Sequence, residues 1–318
     1  VNAAALHTLG NPPRFEQFPE PVTAEGEVIV RVCAAALKPI DKQLADGTHY
    51  ASFRELPVVC GLDGVGYLDD GSRVFFAGPR RPYGAMAERT VVRRAQCFAV
   101  PEGLSDDIAA ALPNPGVSAW LTLKERAKLA PGETVLILGA TGITGKLAVQ
   151  IAKILGAERV VAAGRNRKVL DSLPELGADT TIQLDKPREE LTKTFAREAH
   201  DKGFQVVIDY LWGQPTEALL AALTRNEFAA IGSETRLVQV GESADAAISL
   251  PAAVLRSTPL TIMGTAGMPA PEILLDALQQ VLAYGACGKL RIDTERVPLA
   301  DIESAWQREG RSRLVVIP

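Results

Sequence analysis

The seven residues GATGITG at 139–145 lie between the apolar run TVLIL and the helical pattern of TGITGKLAVQIAKILGA, and they restrict the fold more than any other feature of the 318-residue chain. A glycine-rich loop is weak evidence alone, but one that leaves a buried strand and opens a helix has a defined geometry. Gly139 permits the tight turn off the strand, Gly142 lets backbone approach a pyrophosphate, and Gly145 lets the helix pack on the sheet. The intervening Ala140, Thr141, Ile143 and Thr144 then present N–H groups toward phosphate oxygens at a helix start. A structural turn without a ligand is the alternative reading of the same seven residues.

The flanking pattern agrees with a parallel sheet. Ile143, Leu147, Ile151, Ile154 and Leu155 share one helical face, and RVVAA, QVVIDY and TRLVQVG follow as further apolar strands separated by helical segments such as PTEALLAALT. Strands that are apolar on both faces, alternating with amphipathic helices, define a doubly wound α/β arrangement. The two LGA triplets place Gly156 and Gly177 where helix ends need positive φ. The charged stretch DKPREELTKTFAREAHDK reads as a solvated helix. Before residue 115 the pattern differs: EVIVRVCAAAL, LPVVCGLDGVGYL, SRVFFAG and RTVVRRAQCFAVP are strand-like runs punctuated by Gly and Pro, as in a β-rich domain. The last 60 or so residues hold one evident helix, PEILLDALQQVLAYGA, and a final strand, RLVVIP, and the pattern alone leaves open which domain they join.

The strand RVVAA ends at Gly164, and Arg165, Asn166, Arg167 and Lys168 follow it. A dinucleotide fold that grips a ribose 2′-hydroxyl places a carboxylate about here, and none is present. Several cations suit a 2′-phosphate instead, so the expected cofactor is NADPH. Charge-assisted bonds of about 1.5–3 kcal/mol each make a roughly tenfold preference over NADH the expectation. A basic helix start exposed to water is the alternative.

With these residues in place, a family resemblance is visible. GETVLILGATGITGKLAVQIAKILGA, ELGAD, FQVVIDY and RLVQVGE, in that order and spacing, resemble the cofactor domain of medium-chain dehydrogenase/reductases. KPIDKQLADGTHY, LPVVCGLDGVG and YGAMAERTVV resemble that superfamily's GroES-like catalytic domain. The resemblance spans nearly the whole chain and is closest to the zinc-free quinone oxidoreductase, or zeta-crystallin-like, branch. It implies an α/β protein with a GroES-like β-rich catalytic domain over 1–116 and 257–318, and a Rossmann doubly wound parallel-sheet domain over 117–256. It also implies that Lys168 lies near the 2′-phosphate, that Ser118, Gly241, Gly264 and Thr265 line the cofactor cleft, and that Arg313 stands near the phosphates. Relatives are frequently dimers joined through the edge of the cofactor sheet, for which LTIMGTAG is the candidate segment here.

Two departures bear on chemistry. Zinc-dependent members carry a Cys and a His where this chain has Lys38 and Leu62, and the four cysteines, Cys33, Cys60, Cys97 and Cys287, form neither a metal lobe nor a C-x-x-C pair, so no metal is expected and each is read as a small buried hydrophobe. Quinone oxidoreductases commonly have Asn at the position of Lys38 and Tyr at that of Gln43, so a particular substrate does not carry over. Hydride transfer without a metal needs a donor for the negative charge that develops on oxygen. Lys38 is the leading candidate, with binding of cofactor phosphate or ribose hydroxyls and a plain surface position as its alternatives. Tyr50 is a second candidate donor or aromatic wall, and Asp41 is read as a structural helix cap. The expected reaction is reduction of a quinone or of the C=C bond of an α,β-unsaturated carbonyl. An NADPH-binding structural or regulatory protein with little turnover is the competing reading. Short-chain reductases and NADP-sensing regulators place this glycine loop within the first dozen residues, whereas here it starts at residue 139, behind a β-rich domain. A net charge of −4, no basic-aromatic stripe and no apolar run of eighteen residues argue against nucleic acid and membrane partners and lead to the expectation of a cytoplasmic enzyme.

Overall fold

The computed structural model describes residues 1–199, 202–224, 234–265, 267, 269–308, 310 and 312–318. The chain divides into two units, one formed by Val1–Asn114 with Gln280–Pro318 and the other by Pro115–Gln279.

The Pro115–Gln279 unit is organised by a six-stranded parallel sheet in the order Thr180–Gln183, Arg159–Gly164, Thr134–Leu138, Val206–Asp209, Thr235–Gln239, Leu260–Gly264. Thr134–Leu138 and Val206–Asp209 are buried at every position, the signature of strands covered on both faces. The helix Ile143–Ile154 follows the first of them, burying Leu147 and Ile151 of the predicted stripe together with Ala148 and Ala152. Gly156 and Gly177 close their helical segments at φ 92° and 106°, the left-handed conformation a side chain resists. The charged segment forms a helix over Arg188–Glu198 that buries only Leu191 and Phe195, while its His200 and Asp201 lie outside the described residues.

The other unit is antiparallel apart from one pair. Its main sheet runs Thr294–Pro298, Arg313–Ile317, Glu27–Ala36, Asp63–Tyr67, Arg73–Ala77, Cys97–Ala99, with Arg89–Arg93 also paired to Glu27–Ala36. A second sheet joins Arg14–Gln17, Asn2–Leu6 and Val58–Val59. Between them lies a core that includes Leu6, Val30, Leu44, Phe76, Met86, Ile302 and Val316. Burying each such large side chain contributes about 1.5–3 kcal/mol before the cost of ordering it.

The tail does both things that its pattern left open. Leu260–Gly264 pairs in parallel with Thr235–Gln239 and so extends the doubly wound sheet, whereas Thr294–Pro298 and Arg313–Ile317 complete the antiparallel one. The second unit therefore closes at Gln279, later than the expected return at residue 257. The apolar TPLTIMG segment becomes a strand by hydrogen bonding to a neighbour far back in sequence, which local periodicity does not encode. The cysteines also differ from one reading: all four are free, but only Cys60 is buried, Cys33 and Cys97 are half-buried, and Cys287 is exposed.

Candidate functional site

The parallel sheet brings five loops to one edge. Register pairs Leu138 with Ala163 and with Asp209, Asp209 with Gln239, and Gln239 with Gly264, so the carboxyl ends of these strands align in a row. The chain leaves Thr134–Leu138 first toward Arg159–Gly164 and later returns to its other side with Val206–Asp209. Ligands of open α/β sheets bind at such a switch point, outside the carboxyl ends of the strands.

The glycine loop occupies that point. Gly139 has φ 88°, and an added Cβ would lie 3.1 Å from Tyr210 Cβ. The N–H groups of Gly139 and Ala140 both donate to Ala163 O at 2.9 Å, which ties the loop to the neighbouring strand. A Cβ on Gly145 would stand 2.2 Å from Gly139 O and 2.7 Å from Ala140 Cα, so this glycine is required by helix packing. Gly142 caps the helix without a side-chain hydrogen bond, leaving the amides of Ile143, Thr144 and Gly145 without a side-chain cap. Amides in this state, with the positive end of the helix dipole behind them, fit a pyrophosphate. Thr141 packs its Cγ2 where a Cβ on Gly164 would lie, at 2.4 Å, and this explains the glycine that ends the second strand.

Beyond Gly164 the cations divide. Asn166 caps the short helix Arg167–Leu170 by accepting from Val169 N at 3.2 Å, and Arg167 is paired with Asp171 at 3.0 Å. Arg165 and Lys168 are exposed and, among the described residues, have no carboxylate partner. Two unpaired cations beside the second strand fit a further phosphate group. Gly241 approaches Tyr210 closely, since a Cβ there would be 2.9 Å from Tyr210 O. Gly264 and Thr265 are exposed at the end of the outermost strand, and Ser118 is half-buried on the helix Pro113–Leu121, its carbonyl accepting from Thr122 Oγ1 at 2.8 Å.

Sequence reasoning missed Asp209 and Tyr210. Asp209 is fully buried and holds the turn after its strand: Oδ1 accepts from Leu211 N and Trp212 N at 2.8 and 2.9 Å, and Oδ2 from Thr216 Oγ1 at 2.5 Å. Burial pushes its carboxyl up, against the opposing effect of those three donors. Trp212 adopts φ 59° in this turn. An Asp ending an apolar strand just before a Gly–Gln–Pro helix start was the available signal.

The residues singled out for chemistry lie in the antiparallel unit. Lys38 is 1% exposed, which removes the surface alternative. Its Nζ donates to Asp63 Oδ1 at 2.7 Å and to Ala36 O at 3.3 Å, and ion-pairs with Asp41 Oδ2 at 3.5 Å. Asp63 Oδ1 and Ala36 O thus take two of the ammonium's three hydrogens, and Asp41 adds a second counter-charge. Burial alone would push Lys38 down, but Asp41 and Asp63 together outweigh it and hold the ammonium above its ordinary range. Asp41 caps the helix Pro39–Asp46 as expected, accepting from Lys38 N at 2.9 Å. Arg313 is also buried here: its Nη1 donates to Leu37 O at 3.0 Å, and it feels Asp41 and Asp63. It thus joins a quartet of two cations and two carboxylates within its own unit. Tyr50 is 96% exposed with its ring against His49 at 4.2 Å. Among the described residues no three His, Cys, Asp or Glu side chains are grouped to hold a metal ion, and no helix is long and apolar enough to cross a membrane.

A doubly wound sheet with a phosphate-fitting glycine loop, joined in one chain to a β-rich unit, defines a nucleotide-dependent oxidoreductase fold. The zinc-binding dehydrogenase family matches residues 144–281. The quinone oxidoreductase of Thermus thermophilus, solved also as its complex with NADPH, is 30% identical over all of both chains with a TM-score of 0.79. A probable NADPH-dependent quinone reductase of Emericella nidulans is 26% identical, again over all of both chains. The 2-methylene-furan-3-one reductase of Solanum lycopersicum is 34% identical over 54% of this chain and 48% of its own. The chain belongs to the medium-chain dehydrogenase/reductase superfamily, in its quinone oxidoreductase-like branch, and is an oxidoreductase.

Proposed function

We propose that the protein is an NADPH-dependent, metal-free reductase that transfers hydride to a quinone or to the C=C bond of an α,β-unsaturated carbonyl. The observation that carries the reading is the pair Arg165 and Lys168, exposed and, among the described residues, without carboxylate partners at the end of the second parallel strand, where a 2′-phosphate belongs. When bound, NADPH supplies the hydride. The chain's residues bind and orient: the uncapped amides of Ile143, Thr144 and Gly145 hold the pyrophosphate, while Gly142 and Gly241 keep side chains out of its path. The donor set favours chemistry without a metal, because Lys38 and Leu62 occupy the two positions that carry zinc ligands in metal-dependent relatives. Lys38 acts as a positioning residue, fixing the start of the helix Pro39–Asp46 against Asp63. The outer edge of Leu260–Gly264, unpaired among the described residues, is consistent with a homodimer built by sheet extension.

Titration of the protein with NADPH and NADH, followed by a steady-state panel of quinones and enones, tests the reading. NADPH is expected to bind at least about tenfold more tightly, and Arg165→Ala with Lys168→Ala to abolish that margin. Equal affinities for the two nucleotides would refute the cofactor assignment. Tight NADPH binding without oxidation by any panel member would instead favour a non-catalytic binding protein.

A further inference from the structure

Within the antiparallel unit a pocket of about 520 Å³ opens beside the loop that precedes Val58–Val59. Tyr50, Phe53, Leu56 and Pro82 supply its apolar surface, and Arg54 and Arg81 stand on the same wall. The guanidinium carbon of Arg81 sits 4.0 Å over the centre of the Phe53 ring. A guanidinium held over an aromatic ring keeps N–H groups with which to meet a carboxylate or phosphate.

Among the described residues no such acceptor is paired with either arginine. Neither Arg54 nor Arg81 has a carboxylate partner there, whereas the nearby Arg80 and Arg89 are paired with Glu27 at 2.8 Å and Glu20 at 3.3 Å. Arg81 is exposed, and among the described residues no carboxylate is paired with it. One acid, Glu55, lines the pocket and is outnumbered by the two arginines.

We infer that Arg81, assisted by Arg54, binds small molecules that carry an anionic group, carboxylate or phosphate, on an apolar body that lies against Tyr50, Phe53 and Leu56. The inference does not depend on the reductase reading. Its test reads binding without turnover. Calorimetric titration of the cofactor-free full chain with 2-naphthoate, 2-naphthyl phosphate and the neutral 2-naphthalenemethanol compares the two anions with an uncharged relative of the same shape. At least one anion is expected to bind about tenfold or more tightly than the alcohol. That preference should vanish in Arg81→Gln and shrink in Arg54→Gln, and the better-bound anion tells a carboxylate from a phosphate site. Equal affinities, no binding of any probe at millimolar concentration, or a preference that survives both substitutions would overturn it. If Arg81→Gln does not fold, Arg54→Gln decides alone. Failure of the reductase reading shows separately, as a lack of NADPH oxidation with every quinone and enone.

Discussion

Lys38 illustrates how far one residue's surroundings can redirect its chemistry. A cation at the head of a cleft motif reads as an oxyanion donor, yet the folded chain encloses it between Asp41 and Asp63 with Arg313 completing the charge balance. Removing one member of a buried ionic cluster strands the others, at a cost of about 3–5 kcal/mol. Lys38→Met is therefore expected to lower the unfolding free energy by that amount, measured by urea unfolding at neutral pH. The pH dependence has a definite sign. Lys38 is held above its ordinary 10.5, so its contribution is fully present below pH 10.5 and is lost as pH rises through the folded value. Asp41 is pushed above its ordinary 3.8, mainly by burial, so its titration does not weaken the fold in acid. Unfolding curves from about pH 9 upward should thus show wild-type stability falling beyond 10.5, with a shallower slope in Lys38→Met. An unchanged slope would mean that the ammonium is not held by its neighbours.

At the scale of an element, the glycine loop separates packing from binding. Gly145 is packed against backbone, and Gly145→Ala would force its Cβ to 2.2 Å from Gly139 O. Backbone cannot yield as a flexible side chain does, so the helix Ile143–Ile154 must lift from the sheet, with an expected loss of about 2–4 kcal/mol. Gly142→Ala meets only Gly139 O, at 3.4 Å, and should cost no more than about 1 kcal/mol while weakening NADPH binding at the exposed helix start. Thermal unfolding with and without NADPH distinguishes them: the first variant loses stability in both states, and the second loses chiefly the increment that the ligand adds. If both behaved alike, the division of labour within GATGITG would be wrong.

For the whole molecule, the outer edge of Leu260–Gly264 leads to a test of assembly, since an unpaired strand at the end of a sheet is a template for a second copy. Light scattering behind size-exclusion chromatography should give twice the chain mass at micromolar concentration, and a monomer would refute the dimer. The same strand marks where sequence reasoning reached its limit. The parallel sheet was legible because TVLIL, RVVAA and QVVIDY are apolar on both faces and the intervening helices bury one stripe, so burial itself is written into the spacing. The phosphate-fitting loop was legible because positive φ and backbone-to-backbone contact admit glycine alone at Gly139 and Gly145. Membership of the Leu260–Gly264 strand, the ion pairs of Lys38 with Asp63 and the burial of Arg313 depend on partners 25 or more residues away, and nothing local signals them. The sequence by itself determined the periodicities, turns and glycine positions, because these are constraints between near neighbours. Only the tertiary structure decided which charges meet in the interior and which face solvent, because a charge takes its role from whatever the fold brings within a few ångströms of it.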